Sequence, residues 1–185
     1  LSTGVYLLTL ALFLSWLPVE QQRSKVVLVM VWAAIATGLF EVIYISWQGS
    51  QGLASHFNVQ SRFYASMYGL MGVAAVVLAG ASMVLGVVIA LNKNYGLPPA
   101  IKLAVVLGLV VTFLLGTGFG GYLSAQRAGH WVGGVLSDRG GLPLVTWSRS
   151  GGDLRVAHFF GIHAMHFIPA MALVMAPLGL QQASA

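Results

Sequence analysis

The chain has 185 residues, of which 58% are hydrophobic and 7% charged, with a mean hydropathy of +0.86. An ordinary soluble domain carries about 25% charged residues; so few charges cannot cover a water-facing surface, and intrinsic disorder needs the opposite composition. A polytopic membrane protein remains, and the absence of cysteine excludes disulfides, thiolate metal sites and Cys-ligated iron–sulfur clusters.

The net charge of +5 does not point to nucleic acid. The nine basic residues are Arg23, Lys25, Arg62, Lys93, Lys102, Arg127, Arg139, Arg149 and Arg155. They are scattered at or between the ends of apolar runs and form no basic stripe, as topology determinants and headgroup contacts do.

Five spans follow in chain order, within one transmembrane domain over 1–185. The first covers about 1–17, near the lower limit for crossing about 30 Å of hydrocarbon. No basic stretch precedes it and no small-residue cleavage site follows, so a signal peptide is not expected. Pro18 and the cluster Glu20–Lys25 end it. The second runs over 26–48 and contains Glu41; the third, over 63–91, has no charge at all. Pro98 and Pro99 suit the start of the fourth, over 100–123. A long Gly-rich connection over 124–152 carries His130, Trp131, Asp138 and Trp147, and its tryptophans fit an interfacial position. Asp153 is a natural N-cap for the fifth span, over 154–180. The runs are too long and continuous for the alternation of a membrane barrel. The expected fold is all-α, a bundle of about five transmembrane helices.

Aromatic residues near the predicted ends fit an interfacial belt, and Gly116-x-x-x-Gly120 would let another helix approach closely. The short turns carry Arg23, Lys25, Lys93 and Lys102 within few residues. The basic-residue rule therefore leans towards cytoplasmic short turns and an external long loop, in a bacterial inner membrane.

Ionisable groups inside a membrane are expensive and point to function. Four exist here: Glu41, His158, His163 and His166. At about 1.5 Å per residue they lie about 10, 6, 14 and 18 Å below the long-loop boundary. The three histidines fall in one helical sector, and Pro169, which cannot donate to the Met165 carbonyl, predicts a kink or freed acceptor beside His166. His56 and His130 belong to the same side of the membrane. A bis-His haem b would pair His158, His163 or His166 with His56 or His130. A metal ion would favour Glu41, His163 and His166. A chlorophyll-type pigment would need one axial imidazole. The same groups would serve a proton relay for transport or quinone chemistry. The plainest alternative has them hydrogen-bonding between helices and holding the bundle together. No Gly-x-Ser-x-Gly or phosphate-binding Gly-rich motif is present.

Two stretches, Glu41–Gln48 followed by Gly52–Asn58 and then Gly152–Ala164, carry Ser55-His56-Phe57-Asn58 and Gly152-Asp153-Leu154-Arg155-Val156-Ala157-His158 with His163 beyond. They resemble motifs of an uncharacterised family of bacterial multi-pass integral membrane proteins. The resemblance implies that the second and fifth spans work together. Members often carry Gln where this chain has His166, which favours Glu41, His56, His158 and His163. The leading functional expectation is a haem- or metal-binding, redox-active membrane protein with its site near the long-loop face. The alternatives are a structural or accessory subunit of a larger membrane complex and a proton-coupled transporter.

Overall fold

A computed structural model describes residues 2–126 and 129–178. Leu1, Arg127 and the end of the fifth expected span at Gly179 and Leu180 lie outside the described residues. The chain is an all-α membrane protein. Helices α1 (Ser2–Ser15), α2 (Val19–Gln22), α3 (Lys25–Ser50), α4 (Arg62–Leu91), α5 (Pro99–Ser124), α6 (Leu154–Ile162) and α7 (Ala164–Met175) are followed by a 3-10 turn, Ala176–Leu178. Among the described residues the only strands are β1 (Trp131–Val132) and β2 (Gly152–Asp153), an antiparallel pair pairing Trp131 with Asp153.

Helices α3, α4 and α5, of 26, 30 and 26 residues, are each long and apolar enough to cross a membrane. Helices α6 and α7 meet that standard only together, as a pair bent by 59°. Among the described residues the span count is thus three, or four with the bent pair, where five were expected. The difference is α1, whose 14 described residues rise about 21 Å. Its regular bonding gives way before Pro18, where the Trp16 and Leu17 N–H groups donate to carbonyls three residues back.

The helix starts follow local chemistry. The Ser24 hydroxyl accepts from the Val27 N–H, the Ser61 hydroxyl from the Tyr64 N–H, and the Asp153 carboxylate from the Arg155 N–H. Pro99 opens α5, where a missing N–H costs nothing. Lys102 reaches back to donate to the Ala90 and Asn92 carbonyls at 3.2 and 2.6 Å, neutralising the C-terminal end of α4.

Helix α5 is the hub, packed against α4, α6 and α7, while α3 packs on α4 and α1 fits against α3 and α4. Its contact with the bent pair runs along small residues four apart. A Cβ added to Gly108 would lie 2.9 Å from the Met165 Cα, and one on Gly161 3.0 Å from the Leu115 carbonyl carbon. Between these close approaches the Thr112 hydroxyl accepts from the Met165 N–H at 2.9 Å. The sequence had flagged Gly116 and Gly120; their partner is the bent pair of the same chain.

The break lies at His163, between α6 and α7, and not beside His166 as Pro169 led one to expect. Thr112 takes up one of the N–H groups left over at the start of α7, and Pro169 packs its ring 3.2 Å from the Gly108 Cβ position. The helix thus turns where α5 can satisfy it.

Candidate functional site

At the end of the bundle that carries the 51–61 connection, the helices diverge around a cavity of about 470 Å³. Its wall includes Glu41 from α3, His56 from the connection, Tyr68 from α4, Gly120 from α5, His158 from α6 and His163 at the break. Four of the five polar groups singled out by motif or depth therefore meet around one space. The remaining wall is mainly apolar, with Ile45, Met71, Leu78 and Ile162 among its residues. A smaller groove of about 290 Å³ at the opposite end, between the turns at Pro18 and Asn92, contains none of these groups.

His56 owes its place to the Ser-His-Phe-Asn run. The Asn58 side chain is 5% exposed; it donates to the Ala54 carbonyl and accepts from the Gln60 N–H, fixing a tight bend. Phe57 sits at φ 56°, in the left-handed region, and its ring meets Tyr68 at 5.4 Å. Ser55 Oγ lies 2.9 Å from His56 Nδ1, and the His56 ring stands edge-on to Tyr68. His56 is thereby held at the exposed mouth of the cavity.

His158 lies deeper, over Gly120, whose added Cβ would fall 3.0 Å from the imidazole Cε1. The Gly116 carbonyl faces the ring, yet Nδ1 is shielded from solvent without a well-formed hydrogen bond. The Tyr68 hydroxyl and Thr117 Oγ1 in the same wall are also buried without partners. Glu41 receives one bond, from the Thr3 hydroxyl at 3.4 Å, and no cation pairs with it among the described residues.

His163 and His166 touch through their Nδ1 atoms, 3.2 Å apart. Two lone pairs or two N–H groups would repel there, so one ring donates and the other accepts. His166 sits behind His163 and is not part of the cavity wall. The bend explains this, because it takes His166 out of the sector that a straight helix would share with His158. Glu41, His163 and His166 do not converge: among the described residues no three His, Asp or Glu side chains could hold a metal ion.

His130 belongs elsewhere. In the long loop its Nε2 meets Asp138 at 3.0 Å and its ring stacks on Trp131. Arg155 bridges Asp138 at 2.8 Å and Asp153 at 2.7 Å, knitting the loop to the start of α6. Hydrogen bonding to His130 is the main influence holding the Asp138 carboxyl below its ordinary range. Burial pushes Asp153 up, but bonds from the Arg155 side chain and from the Ser148 and Arg155 N–H groups outweigh it and hold the carboxyl at about 2. Both acids tie the long loop to the start of α6.

Sequence reasoning missed Thr112, 1% exposed, and Gln48, fully buried with its amide donating to the Tyr44 hydroxyl. A polar residue within an apolar run was the available signal for both. Comparisons with protein-family models, curated proteins and solved structures found no match to the chain.

Proposed function

We propose that the cavity binds a flat, largely apolar prosthetic group of the haem type, with His158 and His56 as the ligating imidazoles. The observation that carries this is one apolar space with imidazoles from two separate elements in its wall. Apolar walls and neutral imidazoles fit a haem, whereas a bare metal ion would favour a three-ligand convergence that is not found among the described residues. A bound haem would supply one-electron redox chemistry. The chain's own residues would ligate it through His158 and His56, exclude water with the apolar wall, and hold a proton near it on Glu41 or His163.

The His163–His166 contact favours a second reading, a proton relay leading from the cavity into the bundle. A bacterial inner membrane, an external long loop and association with other membrane subunits complete the proposal, the orientation resting on the basic short turns.

The test is the visible absorption spectrum of the protein purified from haem-replete cells. A Soret band at one haem per chain, lost in His158→Ala and weakened or shifted in His56→Ala while helical content is kept, is expected. No Soret band, or one unchanged in both variants, contradicts the assignment. A proton-linked activity unaffected by Glu41→Gln would remove the relay, and purely structural histidines would lower stability with no spectral consequence.

A further inference from the structure

The long loop ends in an apolar turn that none of the site chemistry uses. Residues 142–147 close on themselves: the Leu142 N–H donates to the Trp147 carbonyl at 2.9 Å and the Thr146 N–H to the Leu142 carbonyl at 2.8 Å. Leu144 and Thr146 have φ of 71° and 54°, a left-handed backbone that non-glycine residues adopt at a cost. The turn therefore has an enforced shape, and that shape presents Leu142, Pro143, Leu144 and Val145 outward, Leu144 with its whole side chain exposed.

Two contacts fix the turn to the membrane-spanning part. Arg155, in the first turn of α6, donates to the Thr146 carbonyl at 2.9 Å and its hydroxyl at 3.3 Å. Trp147 packs on Phe159 and Phe160 at 5.5 and 6.5 Å, and Phe160 is itself half exposed on the outer side of α6. Phe160 is the seventh residue of α6, about 9 Å below its start. The apolar turn is thus continuous with the lipid-facing surface of the bundle. The nearby acids are occupied, Asp138 by His130 and Arg155, and Asp153 by Arg155. Arg139 and Arg149, which flank the turn, are exposed and make no ion pair among the described residues.

We infer that this turn is a lipid wedge: Leu142–Val145 dips into the interfacial region of the leaflet beside α6, with Arg139 and Arg149 on anionic headgroups. A rigid apolar tip rimmed by free cations is what an anionic leaflet recognises, each half by a different force. The wedge is independent of what the cavity binds.

The chain has no cysteine, so one label reports cleanly. Leu144→Cys carrying a bimane is reconstituted in phosphatidylcholine vesicles with and without phosphatidylglycerol, with Lys93→Cys in the opposite turn as the water-facing control. The expected result is a blue-shifted emission at position 144, quenched by shallow nitroxide lipids and shielded from iodide, with Lys93→Cys showing the reverse. Phosphatidylglycerol should deepen the shift, and Arg139→Ala with Arg149→Ala should abolish that dependence without moving the control. Water-like emission with full iodide quenching at 144 overturns the wedge. So does shielding that persists in detergent and grows with protein concentration, which would show a second copy of the chain covering the turn.

Discussion

The two ends of the bundle are built from the same kinds of helix and finished differently. At the short-turn end the Tyr95 hydroxyl donates to the Phe13 carbonyl at 3.0 Å, the Gly96 N–H to the Trp16 carbonyl, and Lys102 to two carbonyls. Leu17, Val27 and Ile89 fill the space between them, each 3% exposed or less. At the other end the helices part around about 470 Å³, and polar atoms of Tyr68, Thr117 and His158 are left without good partners. In a membrane, packing and satisfied polar groups carry the stability, because lipid is as apolar as leucine. One end is organised to hold the fold and the other gives up packing for a space lined by protonatable groups.

The largest test of that contrast compares a truncation in the packed core with one in the cavity wall. Leu109→Ala removes a fully buried side chain from the packed core and should cost about 2–5 kcal/mol in reversible unfolding. Val76→Ala, in the cavity wall and half exposed, should cost about 0.5 kcal/mol or less. Comparable losses would mean that the cavity wall is ordinary core.

Next in size are two glycines of α5. Gly108→Ala forces a methyl against the Met165 backbone and should destabilise by about 1–3 kcal/mol. Gly118→Ala meets nothing within 4 Å and should be neutral or gain up to about 1 kcal/mol of helix preference. If both are silent in thermal unfolding, the bent pair is not seated on α5 as described.

The smallest effect concerns acid. Asp153 is held at about 2, below the 3.8 of a free aspartate. Its contribution is therefore complete above pH 4 and lost as the pH falls from about 4 to about 2. Wild-type stability should drop across that window, and Asp153→Asn, which keeps a capping oxygen, should flatten the drop. An unchanged slope would mean that the Arg155 network does not tie the loop to α6.

Much of this was legible in the sequence, for reasons that can be named. Long charge-free runs dictate the membrane class and the ends of α3, α4 and α5, and Asp153 and Pro99 act where local capping rules put them. The burial cost of Glu41, His158 and His163 also marked them, and depth along a helix placed them at one end. The rest depends on which helix meets which. The bend at His163 is fixed by Thr112 and Gly108 on a helix some fifty residues earlier, so Pro169 alone misdirected its position. His166 left the common face for the same reason. His130 was drawn away by Asp138 and Arg155 through a loop closure, the short β1–β2 ladder, that carries no strand periodicity.

The most direct measurement of the central claim, that the open end is a binding site, is a haem titration of the purified chain followed by absorbance. Gly72 lines the cavity and a Cβ there meets no protein atom within 4 Å, so the helix accepts a side chain at this position and Gly72→Phe takes up space beside the cavity wall. Wild type should bind saturably at one haem per chain, and Gly72→Phe should fold equally well and fail to bind. Equal binding by both, or none by wild type, would contradict the account.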